Sequence, residues 1–153
     1  MAVYISRAGL YYQTEQFDQA LADCKEAIRL NPEFAEAYVT LGQIHEAQGQ
    51  FDQAVTDFSE AIRLDPAHAA AYAMRGNAHG SLSQYDQAVA DCNEAIRLDP
   101  KLAEAYHIRG KACAFAGDYD RAIDDSNQAI ELAPASAGSA FFILGMAHGG
   151  KGD

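Results

Sequence analysis

Apolar and small positions along this chain recur on two nested periods. Within short windows they follow the 3.6-residue spacing of a helix face, and the whole pattern then returns every 34 residues. Pro32, Pro66, Pro100 and Pro134 mark the longer period, closing the runs EAIRLNP, EAIRLDP, EAIRLDP and QAIELAP. Aligned on them, the chain divides into units 1–34, 35–68, 69–102 and 103–136. An aromatic stands fourth in each (Tyr4, Tyr38, Tyr72, Tyr106) and a small residue eighth (Ala8, Gly42, Gly76, Gly110). Alanine recurs at Ala20, Ala54, Ala88 and Ala122, and again at Ala27, Ala61, Ala95 and Ala129. These are contact points between helices.

Each unit reads as two helices joined by a turn, TEQFD, QGQFD, LSQYD or AGDYD. A unit of this size cannot bury its apolar face alone and must stack on its neighbours. The expected fold is therefore all-α: a right-handed superhelical solenoid of four tandem helix-turn-helix repeats, forming one array over residues 1–153. Phe17, Phe51, Tyr85 and Tyr119 are expected to close the core at the turn, and Asp18, Asp52, Asp86 and Asp120 to sit in the first turn of the second helix, where negative charge suits the dipole. Asn31, Asp65 and Asp99 are expected to cap the next helix, with proline at its first position. At the fourth junction Ala133 replaces the capping residue and one residue is inserted, so Ser136 or Ser139 would have to cap. Residues 137–153 then read as a half repeat or capping helix, with Phe141, Leu144, Gly145 and His148 in the aromatic, Leu, Gly and His places and Gly152–Asp153 on the inter-helix turn.

Charge narrows the partner. Against 11 basic residues stand 22 acidic ones, a net charge of −11, whereas nucleic-acid and anionic-membrane surfaces need clustered Lys and Arg. Neither nucleic acid nor membrane is expected as a partner, and a basic partner is favoured over an acidic one. There is no leader-like N-terminus, and no apolar run approaches the ~20 residues that span a bilayer, so a soluble, cytoplasmic protein is expected. Cys24 and Cys92 hold one repeat position two units apart, too far for a disulfide. With Cys113 they are expected as buried thiols in a reducing compartment.

The order Tyr38, Leu41, Gly42, His45, Ala54, Phe58, Ala61, Pro66 resembles the tetratricopeptide repeat, and it returns four times in register over nearly the whole chain. The chain departs from the family by using tyrosine where tryptophan is commonest and by placing Arg7, Arg75 and Arg109 where leucine is usual. The resemblance implies a concave face lined by first helices that receives a peptide. Family members that grip a chaperone's terminal carboxylate use lysines, asparagines and an arginine there. The corresponding places here hold Ile5, Gly9, Thr40, Ala70 and Met74, so that clamp is absent.

The remaining constellations read as structural. Arg7, Arg75 and Arg109 face the series Asp23, Asp57, Asp91 and Asp125, which suggests ion pairs, within a repeat or with the preceding one. Histidines 45, 79 and 148 share one repeat position and read as core substitutes for an aromatic. His79, Cys92 and Cys113 form the nearest metal-ligand group but lack ligand spacing. No cofactor or metal is expected, and with no activated nucleophile or phosphate-binding loop, neither is enzymatic activity.

The expected groove stripe runs through the second, fifth, ninth and twelfth positions and includes Ile5, Tyr12, Val39, Glu46 and His107. The ladder Gln43, Asn77, Lys111 would hydrogen-bond the backbone of an extended peptide, while Tyr12, Val39, Met74, Ile108 and Phe115 would hold its side chains. The expected function is a non-enzymatic interaction module or scaffold that binds a peptide or partner segment. The alternatives are self-association into a homo-oligomer through Phe141, Phe142 and Met146 of the apolar last helix, or a regulatory fragment of a larger protein.

Overall fold

The computed structural model describes residues 1–152. Helices α1 (Ala2–Gln13) and α2 (Phe17–Leu30) form the first unit, α3 (Ala35–Ala47) and α4 (Phe51–Leu64) the second, α5 (Ala69–Ser81) and α6 (Tyr85–Leu98) the third, and α7 (Ala103–Ala116) and α8 (Tyr119–Leu132) the fourth. A 3-10 turn, Pro134–Ser136, leads into α9 (Gly138–Lys151). Among the described residues there is no strand, and no helix is long and apolar enough to cross a membrane.

The turns follow from backbone chemistry. Each first helix ends on a left-handed residue at one repeat position: Glu15, Gly49, Ser83, Gly117 and, after α9, Gly152, with φ of 58°, 73°, 60°, 86° and 81°. Helix α9 thus ends as the first helices of the four units do; Asp153 lies outside the described residues. Asp18, Asp52, Asp86 and Asp120 occupy the first turns of the second helices, as expected. The junctions differ from expectation. Asn31, Asp65 and Asp99 accept hydrogen bonds from the backbone N–H two residues on, at 3.1, 3.1 and 2.9 Å. They form Asx turns around the prolines, which delays the first helices to residues 35, 69 and 103. At the fourth junction Ala137 precedes α9, and neither Ser136 nor Ser139 caps it.

Within each unit the two helices meet at the eighth position. A Cβ on Gly42 would lie 2.6 Å from the Phe58 ring, one on Gly76 3.0 Å from Cys92 Sγ, and one on Gly110 3.2 Å from Asp125 Cβ. Cys24, Phe58, Cys92 and Ser126, which share one repeat position, are fully buried. Burial pushes the thiols of Cys24 and Cys92 up to about 12 and raises that of Cys113; all three are free.

The arginine series pairs within its own unit, each guanidinium gripping one carboxylate with two N–H groups: Arg7–Asp23, Arg75–Asp91 and Arg109–Asp125, at 2.6 to 2.8 Å. Each also lies 5.6 Å from the ring of the fourth-position tyrosine. Arg75 reaches back to Ser59 and Arg109 to Asn93, tying units together. In the second unit Leu41 replaces the arginine, and Asp57 bonds His45 Nδ1 at 2.5 Å instead. His45 is thus a carboxylate partner, His79 bonds Gln84 at 2.6 Å, and His148 is exposed.

Helix α9 buries Ala140, Ile143 and Ala147 against the fourth unit, while Phe141 and Phe142 are 60% and 69% exposed. Neither phenylalanine turns inward, for a reason of register. The third, sixth and tenth positions meet the preceding unit, and Ile143 holds the sixth. Phe141 stands at the fourth, the face that in α3, α5 and α7 meets the unit's own second helix.

The first unit already contains the substitution that tests the eighth-position contact, since Ala8 faces Cys24 as Gly76 faces Cys92. Gly76→Ala is expected to be neutral or to stabilise by up to about 1 kcal/mol through helix propensity. Gly42→Ala, facing a phenylalanine ring, is expected to destabilise by about 1–3 kcal/mol. Paired denaturant melts read the opposite signs.

Candidate functional site

Successive first helices pack on one another, α1 on α3, α3 on α5, α5 on α7 and α7 on α9, whereas successive second helices make no comparable contact among the described residues. The stack therefore curves with the first helices on its inner side, and ninth-position side chains meet from one first helix to the next. There the ladder is already bonded internally. Lys111 Nζ donates to Asn77 Oδ1 at 3.0 Å, Asn77 Nδ2 donates to Glu46 Oε1 at 2.6 Å, and Gln43 Nε2 lies 3.7 Å from Met74 Sδ. One polar chain thus crosses α3, α5 and α7. Burial raises the Glu46 carboxyl above its usual range, against the Asn77 hydrogen bond; Glu104 pushes it the same way as burial and Lys111 opposes it.

The other groove candidates divide by depth. Val39 and Ile108 are each only 4% exposed and belong to core clusters, Val39 with Ala61, Ile62 and Ala71, and Ile108 with Ala73, Cys92, Ala95 and Ala105. Neither can hold a peptide side chain, because the third unit stacks over both. Ile5 and Tyr12 are half-buried against the first core cluster, Tyr12 meeting Phe17 edge-on at 6.1 Å. Met74 is half-buried between the second and third units. Phe115 is 54% exposed and stacks on Tyr85 at 5.9 Å. His107 is half-buried with no hydrogen-bond partner among the described residues, and burial, with Lys111 adding, lowers its pKa.

Two of the residues expected to mediate self-association lie elsewhere. Phe142 and Met146 line a 130 Å³ pocket with His107, Lys111, Ala114, Phe115, Ser139 and Ile143, on the inner side between α7 and α9. On the other side of His107 and Ser139 opens a 470 Å³ cleft bounded by Leu102, Glu104, Ala129, Ala133, Ala137 and Ala140. Glu104 and Ala114 hold the second and twelfth positions of the expected stripe, whereas Ser139 lies outside it. The signal for Ser139 is the inserted residue with its small neighbours, Ala133 to Gly138, which leaves the fourth junction unfilled. Among the described residues no three His, Cys, Asp or Glu side chains converge as metal ligands would.

The repeat geometry and the comparisons agree on the class. The tetratricopeptide repeat model matches over residues 6–69, 39–103 and 73–140, and the chain belongs to that family. No curated protein matches it. Among solved structures it is similar to the MamA protein (25% identity, TM-score 0.84, covering 99% of this chain and 82% of that one). It is also similar to YrrB, described as a TPR protein with an unusual peptide-binding site (26% identity, TM-score 0.78, covering 97% and 76%). A third is the TPR domain of Arabidopsis OM64 (30% identity, TM-score 0.72, covering 75% and 94%).

The internal bonding of the ladder has a pH signature. Asn77→Ala leaves the half-buried Glu46 carboxylate without its donor, raising its folded-state pKa further. A raised folded pKa contributes stability below the unfolded value, and that stability is lost as pH rises through the folded one. The variant is expected to lose about 1–2 kcal/mol near pH 7 and less near pH 3, where Glu46 is protonated in both states. Urea melts at the two pH values check this.

Proposed function

We propose that the protein is a non-catalytic interaction module that binds a partner's peptide segment along the hollow lined by its first helices. The observation that carries this reading is the coincidence, on that one face, of the Glu46–Asn77–Lys111 chain with two unfilled, largely apolar cavities between α7 and α9. Concave sites of this make-up, apolar with a few placed polar groups, are where ligands bind. The similarity to YrrB, whose description names a peptide-binding site, supports it. Of the groove candidates, Gln43, Glu46, Met74, Asn77, His107, Lys111 and Phe115 form this surface, with Ile5 and Tyr12 at its far end. A terminal-carboxylate clamp forms no part of it.

Selection of random dodecapeptides displayed on phage against the purified chain should enrich binders. Amide chemical shifts on adding a selected peptide are expected to change in α3, α5, α7 and α9 and not on the outer surfaces of α4, α6 and α8. Shifts confined to those outer surfaces would refute the groove.

A second reading, self-association through α9, is favoured by Phe141 alone, which is 60% exposed beside Gly145, where a Cβ would meet nothing within 4 Å. That open seat is the one Phe58, Cys92 and Ser126 fill in their own units. Phe141→Glu is expected to convert a concentration-dependent oligomer to monomer by light scattering. A wild type that is monomeric at all concentrations removes this reading.

A further inference from the structure

A large residue stands just before each of the first helices α3, α5 and α7. These are Phe34, His68 and Leu102, and Leu102 packs on the cluster of Ala95, Ala105 and Ile108. Before α9 the place falls to Ala137, after a 3-10 turn that absorbs the inserted residue. An alanine cannot fill what a phenylalanine, histidine or leucine fills, and the 470 Å³ cleft lies at this junction. It meets the 130 Å³ pocket at His107 and Ser139, which line both. The smaller pocket falls below the roughly 300 Å³ of small-molecule sites and suits one large side chain.

The charges around the pair are uneven. Asp99 and Glu104 line the cleft against Lys101 alone, and Glu46 and Glu36 continue along the same face. The ammonium of Lys111 is engaged with Asn77, and the half-buried imidazole of His107 is held toward its neutral form. Neutral imidazole offers one donor and one acceptor, the complement of a peptide unit. A cation entering the cleft would meet carboxylates on a chain of net charge −11.

Resting on the groove reading above, we propose that these two cavities form one bipartite seat for an extended peptide in which a bulky apolar residue stands within a residue or two of a lysine or arginine. The apolar side chain enters the pocket walled by Phe142, Met146 and Phe115, the backbone crosses His107, and the cation turns into the cleft toward Glu104 and Asp99. The seat belongs to the irregular fourth junction, so specificity is concentrated at one end of the array.

The test uses the dodecapeptides enriched on the intact chain. The enriched sequences are expected to share the apolar-plus-basic pair. The leading one, synthesised with both ends blocked and fluorescently labelled, is then titrated by anisotropy. Phe142→Ala, at an exposed position, should weaken it about tenfold, and Glu104→Lys several-fold, each with an unchanged thermal melt. Replacing the peptide's lysine by glutamate should weaken binding to the wild type and recover part of it on Glu104→Lys. Enriched peptides that are acidic or lack a bulky apolar residue, or affinities indifferent to both substitutions, would overturn the seat. If their chemical shifts still fall on the first helices, the broader groove reading survives. A library that yields no binder removes both.

Discussion

The close approach of the two helices in each unit is the constraint from which the rest of the array follows. With glycine or alanine at the eighth position of the first helix, the second helix lies against its backbone. The acidic side chain next to that contact is then carried out of water: Asp23, Asp91 and Asp125 are at most 8% exposed. A buried carboxylate without a partner is costly, and the residue just before the small one supplies it, in the guanidinium of Arg7, Arg75 or Arg109. The ion pair is a consequence of the tight packing, and it fixes the rotation of one helix against the other.

The second unit solves the same problem with other residues. Phe58 stands where the other units have Cys24, Cys92 and Ser126, and it fills the space against Gly42. An aliphatic Leu41 then packs where an arginine stands elsewhere, and the stranded Asp57 turns to His45. Two positions change together because they share one volume, and a histidine that the third unit also carries at that place takes over the charge. Separate reading of the histidine series and the arginine series from sequence missed this, since each looked like an independent column.

Fold and architecture were legible because they depend on position classes, and a 34-residue period reports those directly. The pairing of helices in each unit and the acidic first turns follow from it. What the period does not report is depth. The fifth-position residues Ile5, Val39, Ala73 and His107 share one nominal stripe, yet Val39 and Ala73 are buried while Ile5 and His107 are not, because burial depends on the size of the neighbours stacked above and below. Sequence reasoning treated Asn31, Asp65 and Asp99 as caps for a comparable reason: an Asx turn around a proline and an N-cap draw on the same residues. The missing cap at Ala133 was noticed, but its consequence was not, because a cavity is made by what fails to fill a space.

Free hydrogen-bonding capacity is unevenly distributed along the face of the first helices. Over α3, α5 and α7 the amide and ammonium groups of Asn77 and Lys111 are committed to one another and to Glu46. A ligand that bonded them would first have to break contacts of similar quality, so the exchange yields little net free energy. This middle section is therefore a pre-organised floor that sets charge and shape. At the α7–α9 end the balance differs: His107 has no partner among the described residues, Phe142 and Phe115 are more than half exposed, and two cavities stand open. Covering those rings removes apolar surface from water without first breaking any protein–protein hydrogen bond. Under the proposed groove reading, affinity belongs to the irregular end of the array, and the regular units before it hold that end in place.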